Sequence, residues 1–187
     1  MSRLLKLMVV SAVATSVLTA AEYKVDTVHS NVGFSVKHMM VTNVNGKFTS
    51  YNSNFEIDEK TKTFKNLKAK IDTLSIDTGI KDRDDHLKSD DFFSASTYPE
   101  MSFEMTSYKA DGDDGKMEGK LTLRGVTKNI TLEVDDINIH GNKIGFALEG
   151  KIKRSDFGLK WNKAIELGGV AVGDEVKIKI DIEADRK

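Results

Sequence analysis

A period of two limits this chain more than any other feature. Val32, Phe34 and Val36 alternate with Gly33, Ser35 and Lys37, and Met101, Phe103 and Met105 with Ser102, Glu104 and Thr106. Ile144, Phe146 and Leu148 alternate with Gly145, Ala147 and Glu149, and Val176, Ile178, Ile180 and Ile182 with Lys177, Lys179 and Asp181. Successive side chains of a strand point to opposite faces. Each run therefore describes a strand that is wet on one side and buried on the other, the usual antiparallel case. Ile130, Leu132 and Val134 fit the same template, and Leu67, Ala69 and Ile71 fit it more weakly. Turn clusters at Asp111–Gly115 and His140–Lys143 separate the runs. One strand changes phase: Phe48 is even-numbered, while Tyr51, Phe55 and Ile57 are odd. A bulge near Ser50 is expected to restore the facing. The one helical stretch is short. Asp77 or Thr78 is placed to cap it, and Ile80, Arg83, Asp84 and Leu87 share a side.

These runs define an all-β domain with a brief helical insertion, and no repeat or low-complexity linker divides it. Sandwich and barrel compete. Long strands, solvated polar faces and hairpin links favour an up-and-down antiparallel barrel, which leaves no open edge. A barrel of about eight strands is either filled by its own side chains or holds one small ligand.

The first residues differ from the rest. Arg3 and Lys6 precede an apolar run from Leu7 to Leu18, and Thr19-Ala20-Ala21 offers small residues for cleavage. Residues 1–21 are expected to be a secretory signal peptide, cleaved after Ala20 or Ala21, with residues 22–187 forming the single barrel; an ordinary buried helix is the alternative. Removing the leader takes two of the 28 basic residues and none of the 29 acidic ones, leaving a net charge of −3. The mature protein is expected to be periplasmic and soluble, with no stable membrane insertion. No basic field is available for a nucleic-acid backbone. The chain has no cysteine, which excludes disulfides, thiolate chemistry and a lipid-anchored N-terminal cysteine.

The stretch His86-Leu87-Lys88-Ser89-Asp90-Asp91-Phe92-Phe93 runs charge directly into an aromatic pair. Adjacent strand positions cannot both point into a core, but positions on a helical turn can, and Ser89 or Asp90 is placed to cap such a turn. Arg83 is expected to pair with Asp84, Asp85 or Asp91. A barrel mouth, apolar below and polar above, accommodates this mixture. The segment is then either a portal or a self-satisfied plug. A second cluster, Arg154-Ser155-Asp156-Phe157-Gly158-Leu159-Lys160-Trp161, repeats the combination. Phe157 and Trp161 either close a tunnel or anchor a loop.

Several motifs occur in order along nearly the whole mature chain. They are Val25-Asp26-Thr27-Val28-His29-Ser30 with Val32-Gly33-Phe34 and His38; Gly46-Lys47-Phe48; Arg83 to Phe93 with Tyr98-Pro99; Gly119 to Thr127; Arg154 to Gly158; and Val172 to Val176. In these the chain resembles the YceI-like, polyisoprenoid-binding family of exported bacterial proteins. One departure is Tyr23, where the family motif often carries Trp. The resemblance implies a lipocalin-like, eight-stranded barrel with a helical insertion, and in some members a homodimer. It also implies a long apolar tunnel for one isoprenoid-chain amphiphile, of polyprenyl or quinone type, or for a fatty acid or amide. On that reading Phe34, Val36, Phe55, Met101, Phe103, Met105, Leu121, Leu123, Phe146 and Leu148 face the tunnel, and Phe48 and His38 belong to its wall and end. Phe92, Phe93, Phe157 and Trp161 sit near the mouth, where Arg83, Asp84 and His86 meet the head group or stabilise the insertion. Neither cofactor nor metal is required.

Two other classes compete. An enzyme or metal-dependent protein would use His29, His38 and His86 with nearby aspartates. The chain has only four histidines, however, none in a helical zinc pattern, and no nucleophile elbow or phosphate loop. A ligand-free interaction barrel would instead fill its interior with side chains.

Overall fold

The structure is a computed structural model that describes residues 20–164 and 169–187. Residues 1–19, with nearly all of the expected signal peptide, lie outside the described residues. Eleven strand segments form one antiparallel sheet. They are β1 (Ala21–Val25), β2 (Asn31–His38), β3 (Thr42–Phe48), β4 (Tyr51–Asp58), β5 (Thr63–Asp72), β6 (Ile76–Asp77), β7 (Glu100–Asp111), β8 (Asp114–Leu123), β9 (Val126–His140), β10 (Lys143–Lys153) and β11 (Val172–Arg186). Three staves are each broken into two segments. β1 and β2 both lie along β11, β4 and β3 lie along them in turn, and β5 and β6 follow. Eight staves therefore run up and down in chain order, and β11 closes the ring on β1 and β2. The closed barrel forms, not the sandwich.

Each break in a stave is patched. Between β1 and β2 the Asp26 amide donates to the Glu183 carbonyl at 2.9 Å. The Ser30 hydroxyl donates to that same carbonyl and accepts from the Glu183 amide, at 3.0 and 2.9 Å, so a side chain completes the ladder. Asp26 holds the intervening turn by accepting from the Val28 amide (2.9 Å) and pairing with His29 Nδ1 (2.8 Å). The phase change near Ser50 is not a bulge within one strand. β3 ends at Phe48, β4 begins at Tyr51, and the residues between bond sideways: the Thr49 amide donates to the Ser75 carbonyl, and the Asp72 amide to the Ser50 carbonyl. This two-residue corner lets the stave change partners from β2 and β6 to β1 and β5.

The outer face explains the alternating charges. Lys68 and Glu104 (2.6 Å), Lys116 and Glu133 (3.1 Å), and Lys151 and Glu175 (3.4 Å) pair across neighbouring strands. All are well exposed, so each contributes about 0–1 kcal/mol. The inner face carries the apolar set and divides into two clusters along the barrel axis. One is a floor of Tyr23, Phe55, Phe64, Met117, Val134, Ile137 and Ile144. Its rings interlock: Tyr23 stacks on Phe55 at 5.5 Å, and Phe146 meets Phe55 and Phe64 edge-on at 5.3 and 5.1 Å. The other cluster, around Phe48, Ile71, Ile76, Phe92, Met101, Leu123, Phe157 and Leu159, lies towards the opposite end. That end carries the β2–β3 turn, residues 78–99, the Arg124-Gly125 turn and the described residues 154–164 and 169–171 between β10 and β11.

A buried cation organises that loop. Arg154 is only 6% exposed and donates solely to backbone carbonyls: Nε to Gly173 (2.9 Å), Nη1 to Leu159 (2.6 Å) and Trp161 (2.9 Å), and Nη2 to Val172 (3.2 Å). Burial lowers the guanidinium pKa, and the Asp174 charge opposes this. The Val172 carbonyl also accepts from the Asn162 side-chain amide at 2.8 Å, and the fork-shaped guanidinium gathers it with the other three in place of a neighbouring strand. Substituting Arg154→Met is expected to remove the guanidinium from the Gly173, Leu159 and Trp161 carbonyls, leaving Val172 its Asn162 donor, and to cost about 3 kcal/mol or more. That corresponds to a fall in Tm of roughly 6–12 °C, read by calorimetry; an unchanged Tm would refute this role.

The Asp26–His29 pair gives a pH signature. The hydrogen bond from His29 lowers the Asp26 pKa from its ordinary 3.8, and the same bond raises that of His29 from 6.5. The aspartate contribution is present above about pH 4 and fades as pH falls through the lowered value. The histidine contribution is complete below about 6.5 and is lost as pH rises through the raised value. Thermal melts of wild type and His29→Gln should therefore differ most between about pH 4 and 6.5 and converge on the alkaline side.

Candidate functional site

Between floor and mouth the barrel is not filled. A cavity of about 200 Å³ lies there, where one water needs roughly 10–15 Å³. The wall is almost wholly carbon. It is built from the inward sides of β2 to β5 and β7 to β11, so the same alternation that makes the strands makes the wall.

Of the residues singled out from sequence, Phe34, Val36, Phe48, Met101, Phe103, Leu121, Leu123, Phe146 and Leu148 lie on this wall, as do Phe92 and Phe93. The others lie elsewhere. Phe55 has no exposed surface and belongs to the sealed floor. Met105 packs beside that floor, at the point where a register shift between Met105 and Ser107 disturbs the β7–β8 pairing. Phe157 is buried beneath the Arg154 loop. Trp161 anchors the same loop from outside, its ring 5.1 Å from Phe92 and 5.0 Å from His86. His38 is exposed at the end of β2.

Other wall residues were readable as strand but not singled out as site. Ile178, Ile180 and Ile182 of β11, Leu132 of β9 and Leu67 and Ile71 of β5 all line the cavity. Their alternation is the same signal. The glycines opposite the aromatics are harder to read. Phe34 lies across Gly46, and the Phe103 ring leans diagonally over Gly119; a Cβ on either glycine would come within 2.4 and 2.2 Å of the ring. Each glycine thus lets an aromatic ring lie against the neighbouring strand instead of projecting across the lumen.

The charged-aromatic segment forms a cap over this space. Helix α1 (Lys81–Lys88) buries none of its residues fully, and its cap position is Ile80, with no side-chain bond. Neither Asp77 nor Thr78 caps it. Thr78 is instead a hub: its amide donates to Asp84 (2.9 Å), its hydroxyl bonds Asp84 and Arg83, and its carbonyl accepts from Arg83 (2.9 Å). Arg83 therefore takes Thr78, not an aspartate, because a residue five positions earlier already lies within its reach. Lys81 and Asp85 pair across one turn, and His86 pairs with Asp91 at 2.9 Å. Ser89 donates to the His86 carbonyl (2.7 Å), and the Phe92 and Phe93 amides donate to Ser89 and Leu87. This tight turn is what drops both rings and Leu87 inward. Arg124, from the β8–β9 turn, ties the cap together, donating to the Asp90 carbonyl (2.9 Å) and the Gly158 carbonyl (2.7 Å). The segment is thus a roof with a void beneath it, neither a filling plug nor an open portal.

The histidines do not converge. His29 lies with Asp26 and Glu183, their ligand atoms within 4.8 Å of one another, while among the described residues His38 and His86 join no such group. Among the described residues, no helix is long and apolar enough to cross a membrane.

Comparison with known proteins agrees with this architecture. The Escherichia coli protein YceI is 39% identical over 171 residues, covering 88% of this chain and 86% of its own. The crystal structure of the Campylobacter jejuni YCEI protein superposes with a TM-score of 0.71 at 40% identity, covering 88% and 98%. BcnA of Burkholderia cenocepacia superposes with a TM-score of 0.76 at 28% identity, covering 85% and 98%. The YceI-like domain model matches residues 23–184, from the floor tyrosine to the last inward alanine of β11, so the chain belongs to the YceI-like family.

Proposed function

We propose that this protein is an exported carrier that holds the tail of one isoprenoid-chain or other long-chain amphiphile in the barrel cavity. The carrying observation is the unfilled lumen with its carbon wall. Water gains little there, having almost no polar partner. Each buried methylene contributes roughly 0.8 kcal/mol, so ten carbons supply about 8 kcal/mol against association costs of 4 kcal/mol or more. Shape and apolarity suffice, and binding needs no reacting group. Aromatic and methionine side chains such as Phe34, Phe93 and Met101 suit a flexible tail. The family resemblance supports an isoprenoid tail of polyprenyl or quinone type, with fatty acids and amides as alternatives. Export through the N-terminal leader places the protein in the periplasm. Cleavage after Ala20 leaves β1 whole, since Ala21 already pairs with Ile57.

Organic extraction of protein purified without detergent, followed by mass spectrometry, is expected to yield a long-chain lipid near one equivalent. Repeated lipid-free extracts would refute the carrier. Gly46→Ala, whose Cβ would first meet the Phe34 ring and the Thr78 methyl, is expected to fold but to push Phe34 into the lumen. Losing contact with about two methylenes lowers affinity roughly tenfold and shifts the bound population to shorter tails.

A further inference from the structure

Half of the large hydrophobic residues that the described structure leaves exposed gather on one rim. Met39 (41%), Met40 (60%) and Val41 (76%) form the β2–β3 turn, and Val170 (41%) lies beside them. The Met39 amide donates to the Ala171 carbonyl at 2.8 Å, so turn and loop are one surface. This is the roofed end of the barrel: the same loop carries Trp161, which packs on Phe92 of the cap.

The turn is built against local preference. The Val41 amide closes it on the His38 carbonyl at 3.1 Å, and its two central residues, Met39 and Met40, have φ of 50° and 60°. Two residues with positive φ ask for Asn-Gly, and bulky side chains there are strained. Here that strain is carried by two methionines that cover no core. Two lysines flank the apex by backbone position: Lys37 near the end of β2, and Lys163, whose carbonyl accepts the Ala171 amide (2.9 Å). Of the acids at the start of β11, Glu175 is paired with Lys151, while Asp174 accepts from the Ser155 amide and hydroxyl and keeps its charge.

From these features we infer that the β2–β3 turn docks the barrel mouth onto a bilayer bearing anionic headgroups, where the cavity exchanges its tail. The inference rests on the carrier reading for its purpose, not for its physics. A protruding apex of methionine and valine offers no flat face to a protein. It suits a soft apolar phase, which takes flexible side chains without shape matching, while lysines meet the headgroups.

The test is co-flotation of purified protein with vesicles of phosphatidylethanolamine containing a minority of phosphatidylglycerol. Wild type is expected to float. The triple variant Met39→Asn/Met40→Gly/Val41→Thr gives the turn its preferred residues, so its Tm should hold or rise while vesicle binding falls about tenfold or more. Lys37→Gln is expected to lower binding about fivefold. Uptake of a fluorescent long-chain fatty acid by delipidated protein, without vesicles, serves as the separate readout and should be equal in wild type and triple variant. Wild type that takes up the fatty acid but does not float overturns the docking and leaves the carrier standing. Wild type that floats but takes up nothing supports the docking and counts against the carrier. A dimer in light scattering that the triple variant converts to monomer, with no flotation, overturns it in favour of a second copy.

Discussion

Closure of the sheet through β11 is what the rest of the structure depends on. A strand edge left open would expose a row of unpaired amides and carbonyls. The fifteen residues of β11 reach both broken segments of the first stave, β2 along most of their length and β1 at the end. The break between those segments falls opposite Glu183, where Ser30 supplies with its hydroxyl the two bonds that a strand residue would have supplied. The ring is then complete, and its inner surface is committed to apolar side chains whether or not they meet.

They meet only at the ends. At the floor, four staves deliver aromatic rings to one level, and Tyr23, Phe55, Phe64 and Phe146 interlock. Burial and the hydrogen bond to Glu59 push the Tyr23 phenol up to about 12, so it remains a donor there. Higher up, the rings of Phe34 and Phe103 fold back over glycines and the lumen stays empty. Floor and void are therefore made from the same residue types, and beside the void Gly46 and Gly119 leave room for the rings of Phe34 and Phe103 to lie against the wall.

This explains what was legible in the sequence. Period two reports facing, so the inward residues of β2, β7, β8 and β10 could be read directly, and those of β11 were equally visible. Period two does not report depth along the axis. Phe55 alternates just as Phe34 does, yet one is sealed in the floor and the other borders the void. The Phe103 ring reaches Gly119 diagonally, since the register pairs Phe103 with Leu121 and Gly119 with Met105, and no single strand contains that register. Charge near charge was also a weak guide. Arg83 found Thr78, and Arg154 found four carbonyls, because a guanidinium offers five fixed donors and the backbone at a loop supplies acceptors more densely than carboxylates do. The bend at Ser50 was visible as a change of phase. Its form, a corner and not a bulge, depended on the Asp72–Ser75 backbone across from it.

Arg124 sits in a left-handed turn residue, with φ of 51°, and holds the backbone at both Asp90 and Gly158 with one planar group. A rigid fork cannot follow two anchors that move apart. The helical insertion and the tryptophan loop are thereby joined through Arg124, and joined again where the Trp161 ring packs on His86 and Phe92. Raising either half costs that half its bond to Arg124, so both halves of the roof are held to the β8–β9 turn by one side chain.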